Sequence, residues 1–209
     1  MIRKAYQHIL AQIYDPFLAS LEEVLTAHRK ELLSQTHGQV LEVGAGTGVN
    51  FKFYPPHAEV FAVEPSPAMY KKALKKKNAS NIHLFNMAVE EVPASPHLPD
   101  RFDFIVSMLV MCSVKDERKV ADLYKQLLKP GGKLLVLEHI HSGNHTFYGK
   151  FQTIVNPVWR PLSDGCNLTR RQDLVLKEAG FVPLKEEYFR TGTDWYKAIM
   201  MAGNKVKNN

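Results

Sequence analysis

Glycines at 44, 46 and 48 lie between acids at 42 and 64, and that spacing describes a nucleoside-binding site. Val40, Leu41 and Val43 read as a short buried strand. The alternate glycines after it have the composition of a tight turn in which backbone approaches a ligand closely. Val60-Phe61-Ala62-Val63 reads as a second apolar strand with Glu64 at its end. A strand, a glycine turn, a helix and an acid about 20 residues later set a carboxylate where it can accept ribose hydroxyls. A dinucleotide site would carry G-x-G-x-x-G, but position 49 is valine, which disfavours nicotinamide hydride transfer. The other groups able to do chemistry are His139 at the end of an apolar run, His141 and His145 beyond it, and Cys112 and Cys166. The two cysteines fit no metal-ligand spacing and form no disulfide framework, so no metal is expected and a reducing compartment is.

The elements that must position these groups can be taken in order. Ile2, Tyr6, Ile9, Leu10 and Ile13 repeat at helical spacing on a short basic segment. Asp15-Pro16 then opens a second helix with Phe17, Leu18, Leu21, Val24, Leu25, His28 and Leu32 on one face, stopped before Gly38. The first helix can cover a ligand, pack on the sheet or lie on a membrane surface. Pro65-Ser66-Pro67 starts another helix, Ala68 to Lys77, whose lysines at 71, 72, 75, 76 and 77 read as a solvated face favoured by the helix dipole. Ile82 to Phe85 is a third strand, Asn86 to Pro93 a loop, and Phe102 to Ser107 a fourth strand. Asp116 caps a helix with Val120, Leu123, Tyr124 and Leu127 inward, Pro130-Gly131-Gly132 ends it, and Lys133 to Ile140 is a fifth strand. Ser142 to Gly165 shows no clean period and reads as a long irregular insertion, of a kind more often functional than idle. Thr169 with Gln172 suggests a capping box for a helix closing at Gly180. Val182 to Phe189 and Trp195 to Met201 look like a final antiparallel pair, and Asn204 to Asn209 like a frayed tail. Strands alternating with helices imply a parallel sheet covered on both faces.

The chain as a whole agrees with such a fold. Its 209 residues suit one domain with a full core, and 45% hydrophobic with 23% charged residues is ordinary for a globular protein. A net charge of +6 allows an anionic partner without demanding one. No apolar run approaches the ~18 residues of a membrane span, and Gln7, His8 and Gln12 interrupt any signal-peptide core, so a cytoplasmic protein is expected.

The pattern Glu42-x-Gly44-x-Gly46-x-Gly48 resembles the first motif of class I S-adenosylmethionine (SAM)-dependent methyltransferases, and the similarity runs from the glycine strand to the final hairpin. Within that class the chain is similar to the type-11 small-molecule group and, more narrowly, to the methyltransferase-like thiol S-methyltransferases. The narrower resemblance rests on Asn50-Phe51-Lys52-Phe53-Tyr54-Pro55, Cys112-Ser113-Val114-Lys115, Glu138-His139 and Asp164-Gly165-Cys166-Asn167-Leu168-Thr169. It implies an α/β Rossmann-like fold: a mostly parallel seven-stranded sheet of order 3-2-1-4-5-7-6, helices on both faces and an N-terminal helical cover. One domain would span 1–209, with helices over 1–37, a SAM-binding core over 38–141 and a substrate-side insertion over 142–168. The last helix and hairpin would fill 169–203 and a tail 204–209. The resemblance assigns SAM to Tyr14, Glu42, Gly44, Ala45, Gly46, Thr47, Gly48, Glu64, Pro65, Ser66, Met69, Met87, Ala88, Val89, Ser107, Met108 and Leu109. Tyr6, Phe147, Phe151 and Trp159 fall on the acceptor side. Two departures stand out. Many relatives carry an Asp for the adenine amino group where this chain has Ala88, leaving backbone near Met87 to Val89 for that task. The animal thiol enzymes carry an N-terminal hydrophobic anchor; no such run is read in these residues, so membrane association is not expected to carry over.

Methyl transfer from a sulfonium needs no covalent intermediate, so Cys112 and Cys166 read as packing residues. His139, where such folds place active-site groups, is the candidate general base; a lone histidine can also be structural. Adenine N6-methylation would call for Asp/Asn-Pro-Pro-aromatic after the fourth strand, where the chain has Ser107-Met108-Leu109-Val110. Cytosine C5 chemistry would call for Pro-Cys, but Met111 precedes Cys112. A small hydrophobic acceptor is expected, best a thiol. A phenol, amine, quinone or RNA acceptor, or a non-catalytic SAM-binding role, remain as alternatives.

Overall fold

The computed structural model describes residues 25–163, 165–191 and 194–202. The expected first helix, the start of the second, Tyr6, Tyr14 and the C-terminal tail lie outside the described residues. Seven strands form one sheet in the order β3-β2-β1-β4-β5-β7-β6. They are β1 (Gly38–Val43), β2 (Ala58–Val63), β3 (Ile82–Phe85), β4 (Phe102–Met108), β5 (Leu128–Ile140), β6 (Val182–Thr191) and β7 (Asp194–Ala202). Strands β1 to β5 pair in parallel, and β7 runs antiparallel between β5 and β6.

Because successive strand residues point to opposite faces, each central strand supplies two cores. Leu41, Val43, Phe61, Val63, Ile105, Leu134 and Val136 pack on one side with Val120, Tyr124 and Leu127 of helix α3 (Glu117–Leu127) and Leu176 of α5 (Gln172–Glu178). Val40, Val60, Ala62, Phe104, Val106, Leu135 and Leu137 face the other side. There they meet Leu25, Leu32 and Leu33 of the helix over residues 25–33 (α1) and Ala73 of α2 (Pro67–Lys76). Near-continuous apolar strands follow from this double burial. The cap signals operate at two helix starts: Asp116 Oδ1 accepts from the Arg118 and Lys119 amides at 3.2 and 3.1 Å, and Ser66 Oγ from the Met69 amide at 3.4 Å.

Three expectations need correction. The stretch after β5 is not irregular: Phe147–Leu162 is a helix, α4, whose N-cap Thr146 accepts from the Gly149 amide at 2.9 Å. Its pattern is inverted. Gly149 and Gln152 are buried, with Asn156 and Trp159 half-buried one and two turns on, whereas Phe147, Phe151, Ile154, Val158 and Leu162 form an exposed stripe. Polar groups dock this helix: Gln152 accepts from the Ser142 amide at 2.9 Å and donates to the Ile140 carbonyl at 3.3 Å. A period search for an apolar inward face misses such a helix, and Pro157 and Pro161 inside it argue further against one. Second, Thr169 does not cap α5, which starts after Arg171; its hydroxyl donates to Asn167 Oδ1 at 2.8 Å instead. Third, the loop after β3 tightens into a 3-10 turn at Val89–Ala94. Among the described residues, no helix is long and apolar enough to cross a membrane.

Candidate active site

The turn after β1 takes the left-handed backbone at all three glycines, with φ of 64°, 58° and 77° at Gly44, Gly46 and Gly48. Their roles differ. A Cβ on Gly44 would lie 2.7 Å from a Val110 methyl, and one on Gly48 would lie 2.8 Å from the Phe51 ring and 3.2 Å from Ala73 Cα. Both glycines therefore serve close packing. A Cβ on Gly46 would have no neighbour nearer than the Gly44 carbonyl oxygen at 4.0 Å. The space over Gly46 is therefore an open cradle, and the residues around it are of the kinds that suit a nucleoside.

Glu64 stands over the cradle. Its Oε2 accepts from the Gly46 amide at 2.8 Å and its Oε1 from the Ser66 amide at 2.7 Å. A carboxylate offers about four lone-pair sites, so both oxygens keep capacity for ribose hydroxyls. Ala45 and Thr47 are buried, the Ala45 amide donating to the Val63 carbonyl at 3.0 Å and Lys76 Nζ to Thr47 Oγ1 at 3.3 Å. Pro65 is exposed beside Glu64, and Met69 is buried on α2. Across the site Met87 packs on the core edge, Val89 is buried, and the Ala88 amide donates to Glu91 Oε2 at 2.7 Å. Glu91 thus occupies the Ala88 amide, whereas the adenine amino group calls for an acceptor. We expect Glu64→Ala to weaken SAM binding by about 1–3 kcal/mol, the cost of unpaired hydroxyls in a buried site. Calorimetry showing unchanged affinity would sink the ribose assignment.

Two residues assigned to the cofactor have structural partners. Glu42, 1% exposed, accepts from Asn50 Nδ2 at 2.8 Å, and Asn50 Oδ1 in turn accepts from Arg29 at 2.6 Å. Tyr54 also turns its hydroxyl toward this carboxylate. Burial pushes the Glu42 carboxyl up to about 7 against the pull of Asn50, Tyr54 and Arg29. The Ser107 hydroxyl accepts from Tyr124 at 3.1 Å within the core, so its side chain is committed there and not to the cofactor. Its neighbour Met108 is buried at the end of β4.

Leu109 then adopts φ 60°, a left-handed conformation that costs an L-residue about 1 kcal/mol or more. Three hydrogen bonds hold it. The Leu109 amide donates to the Leu137 carbonyl at 2.8 Å, and Glu138 Oε1 accepts from the amides of Val110 and Met111 at 2.7 and 2.8 Å. Glu138 is 1% exposed, and burial pushes it up to about 7, opposed by His139 and these two amides. The same turn carries Cys112. The segment after α4 reaches back to it: the Asn167 amide donates to the Cys112 carbonyl at 3.0 Å, and Arg170 donates to the Met111 and Cys112 carbonyls at 2.7 and 3.0 Å. Cys166 consequently sits with its Sγ 3.0 Å from His139 Nε2. Cys112, His139 and Trp159 beside it hold the Cys166 thiol well below the usual range, while the Cys112 thiol itself donates to the Leu109 carbonyl at 3.7 Å. Cys112, buried and beside a sulfur so poised, is pushed the other way.

Of the acceptor-side aromatics among the described residues, only Trp159 joins this cluster. Phe147 and Phe151 are 77% and 44% exposed on the outer stripe of α4, so among the described residues they do not line the site with it. His139 lies where expected; His141 is held by α4, its Nε2 3.0 Å from the Gly149 carbonyl. Sequence reasoning missed the grouping of Glu138, Cys112, Cys166 and Arg170 because they come from three separated segments. One signal was available: residues 112–115, 138–139 and 165–169, which belong to the stretches that carry the narrower resemblance, converge here.

A glycine cradle and ribose-type acid at the carboxyl ends of a 3-2-1-4-5-7-6 sheet define a class I SAM-dependent methyltransferase. Residues 11–186 match the model of a methyltransferase-domain family. Human thiol S-methyltransferase TMT1A is 35% identical over 88% of this chain and 76% of its own length. Human thiol S-methyltransferase TMT1B is 33% identical over 85% and 79%. Among solved structures, the N-methyltransferase NodS of Bradyrhizobium japonicum, in complex with S-adenosyl-L-homocysteine, superposes with a TM-score of 0.63. It is 18% identical and covers 87% of this chain and 86% of its own. The chain belongs to this methyltransferase-domain family, with the thiol S-methyltransferases among its relatives.

Proposed function

We propose that the enzyme transfers the methyl group of SAM to the sulfur of a small, apolar thiol. The similarity to the two human thiol S-methyltransferases, over most of both chains, carries this reading. The site supports it in two ways. Met108 at the end of β4, with Leu109 and Val110 after it, puts apolar side chains where a nucleic-acid enzyme would carry its polar catalytic motif. Trp159, Cys166 and His139 stand together beside that turn. On this reading Gly46, Glu64, Pro65, Ser66, Met69 and the backbone carbonyls near Met87 to Val89 hold the cofactor, while Trp159 and His139 face the acceptor.

SAM already carries the activated methyl group. The protein's task is to align donor and acceptor and exclude water, an effect that can supply ~7–11 kcal/mol. A thiol with a free pKa of about 8.5 is a few per cent ionised near neutrality and needs little base catalysis. A panel of thiols, phenols, amines and RNA read by mass spectrometry tests the acceptor class. Methylated apolar thiols are expected. Unmodified thiols beside methylated phenols, amines or RNA would overturn the choice and leave the methyltransferase assignment standing.

A further inference from the structure

Cys112 Sγ, Cys166 Sγ and a ring nitrogen of His139 all lie within 4.8 Å of one another, with Cys112 and His139 buried and Cys166 half-buried. Nothing in methyl transfer from a sulfonium asks for two cysteines, yet the fold spends specific contacts to assemble them. The Asn167 amide and Arg170 guanidinium clamp the 165–170 segment onto the Cys112 carbonyl, and Glu138 pins the turn that carries Cys112. Gly165, at φ 90°, lets the chain reverse immediately before Cys166. Two sulfurs and an imidazole are a donor set for a borderline-soft d10 cation. Zn–S bonds of ~2.3 Å and Zn–N bonds of ~2.0–2.1 Å at tetrahedral angles separate ligand atoms by roughly 3.5–3.8 Å. The present spacing brackets those separations, with His139 Nε2 and Cys166 Sγ at 3.0 Å and every pair inside 4.8 Å.

We propose that Cys112, His139 and Cys166 form a three-ligand zinc site whose fourth position takes the sulfur of the acceptor thiol. This inference rests on the thiol reading above. Three protein ligands with an open position are the arrangement of catalytic rather than structural zinc. The place is right: Val110 packs on Gly44 of the cofactor turn, and Cys112 lies two residues further along the same loop. Binding of R–SH to zinc releases its proton to solvent and leaves a zinc-bound thiolate. A sulfur lone pair then attacks the methyl carbon of SAM, forming the new S–C bond as the sulfonium's C–S bond breaks. S-adenosylhomocysteine and a neutral thioether result. The thioether is a weaker ligand than the thiolate it replaces, so product release reopens the site.

The full chain, stripped with chelator under reducing conditions, is dialysed against zinc and its metal content measured. About one zinc per chain is expected. Cobalt in its place should give tetrahedral visible bands and a thiolate-to-cobalt charge-transfer band that changes when an apolar thiol is added without SAM. Cys112→Ser and Cys166→Ser should lose the stoichiometric metal while binding SAM with unchanged affinity, which confirms that they are folded. Reduced wild-type protein that retains no zinc would overturn the proposal, as would a cobalt spectrum without thiolate bands or one indifferent to added thiol. Formation of a Cys112–Cys166 disulfide on mild oxidation with no metal uptake by the reduced form would mark the pair as a redox couple instead. Metal-free protein that methylates thiols at the full rate would remove zinc activation yet keep the thiol reading. If neither form turns over any thiol, that reading fails, and the cobalt response to thiol still decides the metal site.

Discussion

Gly46→Ala should weaken SAM binding roughly 100-fold or more with only backbone strain weighing on the fold, whereas Gly44→Ala should destabilise the protein further. The two glycines belong to one motif and share a left-handed backbone, so the strain of adding a Cβ, roughly 1–2 kcal/mol, is common to both. Their surroundings separate them. At Gly46 the new methyl meets no protein atom closer than 4.0 Å, so any large further effect must come from a ligand excluded from that space. A steric block of this kind should cost roughly 100-fold or more in affinity, about 2.7 kcal/mol. At Gly44 the methyl would sit 2.7 Å from Val110, which Glu138 holds through its backbone amide at 2.7 Å and which cannot move without breaking that bond. Overpacking of this sort typically costs 1–3 kcal/mol beyond the strain. Calorimetry with SAM and urea midpoints on both variants check the pair. A Gly46→Ala protein that binds SAM as tightly as wild type would show that the cradle is not the cofactor site.

This contrast also shows how far the sequence carries. The spacing of Gly44, Gly46, Gly48 and Glu64 reveals that a nucleoside-type site exists, because left-handed turns and strand-end acids leave local marks. Which glycine faces the ligand depends on Val110, Phe51 and Ala73, and their arrival at the turn is a tertiary fact. The sheet was legible for a similar reason: strands buried on both faces appear as apolar runs, and β3 matches Ile82–Phe85 to the residue. Helix α4 was not legible, since it turns Gly149 and Gln152 inward and its apolar residues outward. The grouping of Cys112, His139 and Cys166 was hidden for a third reason. Ligand-spacing rules recognise groups supplied by one or two local segments, whereas these come from the ends of β4 and β5 and from the loop after α4. Glu42 and Glu138 stand out in the sequence as acids within apolar strands, but nothing local says that Glu42 holds Asn50 or that Glu138 holds the amides of Val110 and Met111.

Glu42→Gln should reverse the sign of its effect on stability between acid and mildly alkaline solution. In the folded chain burial raises the Glu42 carboxyl to about 7, against 4.5 for the unfolded group. Between those values the folded state holds a proton that the unfolded state has released, so folding is favoured most at the acid end. The contribution is fully present below 4.5 and is lost as pH rises through 7. The separation corresponds to at most about 3 kcal/mol. Glutamine keeps an oxygen for Asn50 Nδ2 and never ionises, so it removes this slope. At pH near 5 the variant should equal wild type or fall slightly below it, because the amide's second hydrogen must be placed beside Tyr54 and Arg29. At pH near 8 it should be the more stable protein, since wild type must then carry a charge in a buried site, linked to Arg29 through Asn50. Urea midpoints for both proteins across this range provide the measurement. Parallel curves would mean that Glu42 stays ionised throughout, with Arg29 rather than burial controlling its charge.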